Sequence, residues 1–279
     1  MRVLVTGAGG FIGSYLLPRL LAAGHQVRGL ALDDVDAARI RRSGDVDIVS
    51  GDVRDLESMR AATEGVEAVF HLAARVSDWG TWPQFEAITV RGTQNMLKAA
   101  AEAGVGRFLL FSSTAVYPRL ARGAPPLDET SPYAGPDNPW GFYGRSKIIC
   151  EQEAMRYQRE GRLGVSIIRP VSIYGPGDHT FFPRIIRYLR GLTAAWVGSY
   201  DPFVPFLYVG DAAEGALAAG TSEKAIGQVY TLGPDPEFHI REFIGAICRE
   251  LDIRVPRMSV PYAVASPLAG VSEGLARLI

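Results

Sequence analysis

The chain has 279 residues, 47% of them apolar, enough for a nucleotide-binding domain with a smaller appended part and for a core without staples. Its formal net charge is −1, with acids and bases interspersed, so it lacks the electrostatic footprint of a nucleic-acid binder. Its two cysteines, Cys150 and Cys248, have no metal spacing and make no disulfide framework, and no apolar run is long enough to span a bilayer; a reducing cytoplasm, no metal and no membrane span are expected.

The N-terminus enters a strand at once, without a basic region and apolar stretch of the signal-peptide kind, so secretion is not expected. The first strand, Arg2–Thr6, runs into Thr6-Gly7-Ala8-Gly9-Gly10-Phe11-Ile12-Gly13 and a helical pattern over Phe11–Ala23. This glycine-rich turn suits a dinucleotide pyrophosphate. Gly7 permits the tight turn, Gly10 lets the backbone approach the phosphates, and Gly13 allows close helix packing. The spacing is G-x-x-G-x-x-G. The second strand, Gln26–Leu32, ends where an acidic residue would read a ribose diol and an arginine a 2′-phosphate. Ala31 and Leu32 occupy that slot. Asp33 and Asp34 follow it, and Arg39, Arg41 and Arg42 lie beyond on an expected solvated helix face. The carboxylates favour NAD, with Asp33 as the contact, and leave NADP open.

Further strands are expected at Asp47–Ser50, Ala68–Leu72, Arg107–Ser112 and Val165–Arg169. Helices are expected at Leu56–Thr63, Gln84–Ala103 and Tyr143–Arg159. Strands rich in Val, Ile and Leu alternating with helices predict an α/β, Rossmann-type doubly wound parallel sheet. After Tyr174-Gly175-Pro176-Gly177 the pattern becomes irregular and aromatic, with a helix near Asp211–Ala219, a strand near Gln228–Leu232 and a helix near Ile240–Leu251. The expected division is 1–174 as the NAD(P)-binding Rossmann domain and 175–279 as mainly a substrate-binding lobe, not an independent domain. The apolar tail Pro261–Ile279, interrupted by Ser266, Ser272, Glu273 and Arg277, reads as an amphipathic helix.

Tyr143 and Lys147, four residues apart, share a helix face. A neighbouring ammonium is expected to lower the phenol's pKa and make it an acid/base near neutrality. Ser112, Ser113 and Thr114 close the strand Phe108–Phe111 and place hydroxyls at the sheet's carboxyl edge. There Ser113 can hold a substrate oxygen while Tyr143 exchanges its proton.

Taken together, these segments resemble the extended short-chain dehydrogenases/reductases, the NAD-dependent epimerase/dehydratase family. The resemblance rests on the glycine turn, Gly51-Asp52-Val53-Arg54-Asp55, His71-Leu72-Ala73-Ala74, Ser112-Ser113-Thr114-Ala115-Val116-Tyr117, Tyr143 to Lys147, and Arg169-Pro170 through Gly177. It implies that Asp52 meets the adenine amino group with Val53 beside it. It also implies that Gly7, Gly10, Phe11, Ile12, Gly13, Leu72, Ala73, Ala74 and Ser112 line the cofactor's path, and that Pro170 and Ile173 flank the nicotinamide. Lys147 would also hold the nicotinamide ribose. A homodimer is implied through the helices Gln84–Ala103 and Tyr143–Arg159, with Met96, Leu97, Ile148 and Ile149 open to core or partner. Family members often continue past Ile279, which leaves open whether part of the substrate lobe is absent or short.

Two departures bear on substrate. Thr89 stands before Val90-Arg91-Gly92-Thr93 where the family usually has Asn. Val204 stands about where nucleotide-sugar members carry an Arg for the pyrophosphate. The insertion Ser77–Phe85 resembles the matching loop of the branch related to 3β-hydroxysteroid dehydrogenases and acyl-chain keto-reductases; it brings Trp79 and Trp82 to the rim, and Trp196, Phe203, Phe206 and Tyr208 offer further aromatic surface. With Ser113 and Thr114 these predict an apolar, steroid-like or acyl-chain substrate bearing a secondary alcohol or ketone. Two alternatives are a sugar or nucleotide-sugar epimerase/dehydratase, and a non-catalytic dinucleotide-binding protein. The sequence leaves the substrate and the reaction direction open.

Overall fold

A computed structural model describes residues 1–77, 79–120, 125–136, 138, 140–191, 194–199, 201–234 and 238–267. Seven short apolar runs become one parallel sheet: β1 (Arg2–Thr6), β2 (Gln26–Ala31), β3 (Asp47–Ser50), β4 (Ala68–His71), β5 (Arg107–Phe111), β6 (Gly164–Pro170) and β7 (Val229–Leu232). Their order is β3-β2-β1-β4-β5-β6-β7, the doubly wound Rossmann-type arrangement. Side-chain alternation fills two layers. Val3 and Val5 of β1 enter one core with Leu16, Leu17 and Leu20 of α1 (Gly13–Ala22). Leu4 enters the other with Met59 of α3 (Leu56–Thr63), Met96 and Leu97 of α4 (Arg91–Glu102), and Ala154 of α5 (Gly141–Arg159). The order reverses between β1 and β4, whose last pair is Thr6 with His71, and β4 continues in step with β5, His71 opposite Leu110. The carboxyl ends of β1, β4 and β5 therefore open side by side at the switch point, the ligand-binding place of this architecture.

The chain divides into two compact units, Met1–Ile173 with Leu207–Gly233, and Tyr174–Phe206 with the chain from Pro234 on. The chain passes between the two units three times, after Ile173, Phe206 and Gly233. Leu207–Gly233 rejoin the sheet because Val229–Leu232 pair with β6. The small residues Ala212, Ala213 and Ala216 of α6 (Val209–Thr221) complete one core layer. At Gly220 a Cβ would sit 2.3 Å from the Phe70 ring, so only glycine allows this close approach. The helix Phe182–Arg190 escapes the sequence reading, and α2 (Asp34–Arg41) was expected only as the helix face of Arg39, Arg41 and Arg42. The long helix expected over Gln84–Ala103 begins at Trp82 and carries a π-helical stretch over Glu86–Val90 before α4.

The second unit has its own small core of Leu189, Ile244, Ile247 and Cys248, with Phe182 and Phe243 against it. Phe206, expected as substrate surface, is buried in this unit 4.8 Å from the Phe243 ring. Val204 is buried, and exposed Phe203 lies 4.2 Å from the His239 ring. Trp196 is anchored by its indole N–H to the Pro256 carbonyl at 2.7 Å. Met96 and Leu97 are fully buried, so they serve the core rather than a dimer surface, whereas Ile148 and Ile149 are half-buried. From residue 268 on, the expected tail helix lies outside the described residues, as does Asp78 of the rim insertion. No described helix is long and apolar enough to cross a membrane.

Candidate active site

The turn after β1 has the form that a pyrophosphate cradle needs. Gly7 has φ +67°, and a Cβ there would meet the Ala73 backbone nitrogen at 3.0 Å. The Gly10 amide donates to the Gly7 carbonyl at 3.1 Å. At Gly13 a Cβ would lie 2.3 Å from the Ala8 carbonyl oxygen, so this glycine is required by the turn folding against its own helix rather than by helix–sheet packing. Phe11 and Ile12 are half-buried, with Phe11 edge-on to Tyr15 at 6.1 Å. Tyr208 in turn meets Tyr15 at 6.3 Å, on the body of the first unit. These residues fit a dinucleotide: glycines keep the approach open and α1 begins behind them.

The acid at the end of β2 is not the one expected. Asp33 caps α2, its carboxylate accepting the Asp36 amide at 2.8 Å. Asp36 instead reaches back, accepting the Leu32 amide at 3.2 Å. Its Oδ1 lies against Gly9, where a Cβ would be 1.9 Å from it. Asp36 is therefore the carboxylate between the glycine turn and the end of β2. Arg39, Arg41 and Arg42 are exposed. The Asp52 carboxylate takes Arg54 at 2.5 Å, which holds it below the usual carboxylate range. Val53 is buried against Gly92, and its carbonyl accepts from Asn95 at 2.9 Å.

A neutral histidine fixes the floor. Thr93 donates to the Thr89 carbonyl at 2.7 Å, so it must accept from His71 Nε2 at 3.1 Å. His71 Nδ1 then accepts from the Thr6 hydroxyl at 2.8 Å, and Thr6 Oγ1 accepts the Ala73 amide at 3.2 Å. One unbroken chain thus ties the ends of β1 and β4 to α4 and positions half-buried Leu72, Ala73 and Ala74. Burial depresses the His71 pKa to about 3. Thr89, the substitute for the family's Asn, is buried and accepts the Arg75 amide at 3.0 Å.

At the end of β5, Ser113 has extended backbone, and its hydroxyl oxygen accepts the Ala115 amide at 3.1 Å. Burial pushes the Tyr143 hydroxyl up and the nearby Ser113 hydroxyl pulls it down; burial wins, and the pKa is raised. Lys147 does not lower it as expected. Its ammonium, 6.0 Å from the Tyr143 ring centroid, donates instead to the Phe111 carbonyl at 2.7 Å. Burial also lowers the Lys147 pKa, with Glu151 among the groups pulling it back up. The half-buried phenol is thus held protonated beside a serine hydroxyl, suited to giving a proton to an oxygen that becomes alkoxide.

Beneath lies a network that sequence reasoning missed. Glu151, one turn beyond Lys147, is fully buried and takes Arg169 of β6 at 2.7 Å, Ser112 at 2.5 Å and Tyr133 at 2.9 Å. Arg169 also donates to Tyr117 at 2.9 Å. Ser112 is therefore a structural donor within this network. Pro170 is buried, with its carbonyl 3.4 Å from the Thr114 hydroxyl, and Ile173 packs partly buried against the core. On the rim, Trp82 meets Phe142 at 5.9 Å and Phe85 meets Phe142 at 6.3 Å, so an aromatic wall reaches the residue before Tyr143. Trp79 is exposed. Among the described residues no group of three or more His, Cys, Asp or Glu could hold a metal.

Comparison with known proteins agrees with this fold. The profile of the NAD dependent epimerase/dehydratase family matches residues 3–233. A 4-hydroxy-2-methyl-3-oxo-4-farnesyl-3,4-dihydroquinoline-1-oxide ketoreductase of Stigmatella aurantiaca is 29% identical, over 100% of this chain and 82% of its own. A 3 beta-hydroxysteroid dehydrogenase/Delta 5-->4-isomerase of Mycobacterium tuberculosis is 29% identical, over 93% of this chain and 72% of its own. Among solved structures, a double mutant of DesIV, a dTDP-glucose 4,6-dehydratase from Streptomyces venezuelae with NAD bound, superposes with a TM-score of 0.77 at 28% identity, covering 94% of this chain and 84% of its own.

Proposed function

This chain belongs to the NAD-dependent epimerase/dehydratase family of enzymes, and we propose that it reduces a ketone, or oxidises the matching secondary alcohol, on an apolar small molecule. The observation that carries this reading is the Tyr143 phenol held protonated by burial close to the Ser113 hydroxyl, which ends the turn after β5. Nicotinamide supplies or takes the hydride when the dinucleotide is bound. Ser113 holds the substrate oxygen, and Tyr143 gives its proton to that oxygen in reduction and removes it in oxidation. In this reading Lys147, behind the phenol, also holds the cofactor's ribose.

For the dinucleotide we infer NAD over NADP. A carboxylate beside the glycine turn accepts from ribose hydroxyls and repels a 2′-phosphate, and Asp36 stands there. Two features support an apolar substrate. One is the aromatic wall of Trp82, Phe85 and Phe142 beside Tyr143. The other is the similarity to a ketoreductase and a steroid dehydrogenase named for apolar substrates. The likeness to a nucleotide-sugar dehydratase favours a second reading, in which the hydride is returned to the substrate. Buried Val204, where the resemblance calls for Arg, weighs against it. We further propose a cytoplasmic homodimer, which a monomer by light scattering at micromolar concentration would contradict.

The test is purified protein with NADH or NADPH against apolar ketones and UDP- and dTDP-sugars. The reading expects net NADH oxidation with an apolar ketone. Sugar conversion without net oxidation would replace it with the second reading, and binding of NADH with no turnover of either class would leave a non-catalytic binder.

A further inference from the structure

Arg75 stands four residues beyond β4, on the edge where β5 delivers Ser113. Its backbone is fixed, the amide donating to Thr89 Oγ1 at 3.0 Å. Its side chain is not matched in the same way. The residue is half-buried, and its Nε is enclosed without a hydrogen-bond partner among the described residues. The guanidinium carbon lies 5.5 Å from the centroid of the Phe85 ring. Gly80, at φ +144°, leaves room for it: a Cβ there would stand 3.2 Å from Arg75 Nε. Phe85 meets Phe142, the residue before Tyr143. A guanidinium is thus built into the same aromatic wall that borders the candidate proton donor. A second one, Arg145, lies 4.2 Å over Trp82 on that wall.

An enclosed guanidinium N–H without a hydrogen-bond partner is costly, because it has given up water for nothing. Its planar fork of N–H donors matches a carboxylate better than any neutral group. We propose that Arg75 is an anion receptor in the substrate site, and that the substrate is an oxo acid, or the corresponding hydroxy acid: an apolar chain bearing both the reacting carbon and a carboxylate. The inference rests on the ketone/alcohol reading of the site. It narrows the substrate class, since a neutral steroid would leave Arg75 unanswered.

The experiment uses wild type, Arg75→Met and Arg75→Lys, each first shown by thermal unfolding to be folded. Binding of decanoate and methyl decanoate is followed by tryptophan fluorescence in the presence of NAD. Reduction of 3-oxodecanoate and its methyl ester is followed by NADH absorbance, and NADH affinity by fluorescence titration. Wild type should prefer the acid over the ester in both binding and KM. Arg75→Met should remove that preference with a loss of about 10- to 100-fold for the acid, the scale of a charged hydrogen bond, and little change for the ester. Arg75→Lys should retain part of it, and NADH affinity should stay within about twofold in all three. Equal treatment of acid and ester by wild type, or an undiminished preference in Arg75→Met, overturns the proposal. So does a parallel loss of NADH affinity, which would assign Arg75 to a cofactor phosphate. If no keto compound is reduced while the decanoate preference stands and disappears in Arg75→Met, the receptor is upheld and only the ketone reading falls.

Discussion

His71 should make the fold acid-sensitive by an amount that can be worked out. Its folded pKa is about 3 because the ring is buried and neutral, accepting from Thr6 and donating to Thr93. An unfolded imidazole titrates near 6.5. With the folded value depressed, the full contribution is present above pH 6.5, falls as pH drops toward the folded pKa, and declines no further below it. Each pH unit in that window costs about 1.4 kcal/mol, so at pH 4.5 the loss from this residue is about 2.7 kcal/mol. A domain's whole stability is roughly 5–15 kcal/mol, so one ring removes a sizeable share. The comparison is urea unfolding at pH 8 and pH 4.5 for wild type and His71→Asn, whose amide can still accept from Thr6 and donate to Thr93 but does not titrate. The variant starts lower at pH 8, and its fall to pH 4.5 should be smaller than that of wild type by about 2–3 kcal/mol. Equal falls in the two proteins would refute the reasoning and show that His71 is not held neutral.

Three further outcomes follow from the same geometry. Glu151→Gln leaves Arg169 buried with a neutral partner and should cost about 3–5 kcal/mol in denaturant unfolding, and Arg169→Met in the same chain should recover part of it; a loss under about 1 kcal/mol would contradict the buried pair. Asp36→Ser should move the ratio of NADH to NADPH affinity toward NADPH by about tenfold, a charged contact's worth, whereas Asp33→Ser should lower stability and leave the ratio alone; fluorescence titration reads both. Because burial raises the Tyr143 pKa, single-turnover reduction should stay level through neutral pH and fall only in the alkaline range; a half-loss near pH 7 would mean that the phenol is activated by Lys147 after all.

The sheet was legible because uninterrupted apolar runs such as Val3-Leu4-Val5 admit little but a strand buried on both faces. Helix α2 was legible only as a solvated helix face around its arginines, without bounds, since among its charges only Ala37 and Ile40 are buried. The return of Val229–Leu232 to β6 is a long-range pairing, to which local pattern gives no guide. In the site, motif spacing located the glycine turn, Ser113, Tyr143 and Lys147. It could not tell which acceptor Lys147 would choose, and Phe111 provides one. Asp33-x-x-Asp36 carried a usable signal, since an N-cap aspartate is itself engaged and leaves the third residue after it free to turn back. Arg75 and the Glu151–Arg169 pair had no such signal, because an isolated charge in sequence does not announce what encloses it.

The central claim, net hydride and proton transfer to a ketone with Tyr143 as the donor, is tested most directly with NADH deuterated at the transferring position of C4. Wild type should place deuterium on the carbinol carbon of an apolar oxo substrate with stoichiometric loss of NADH, and Tyr143→Phe should bind NADH equally well yet transfer almost none. Label transfer undiminished in Tyr143→Phe, or sugar conversion with NADH unconsumed, would contradict the account.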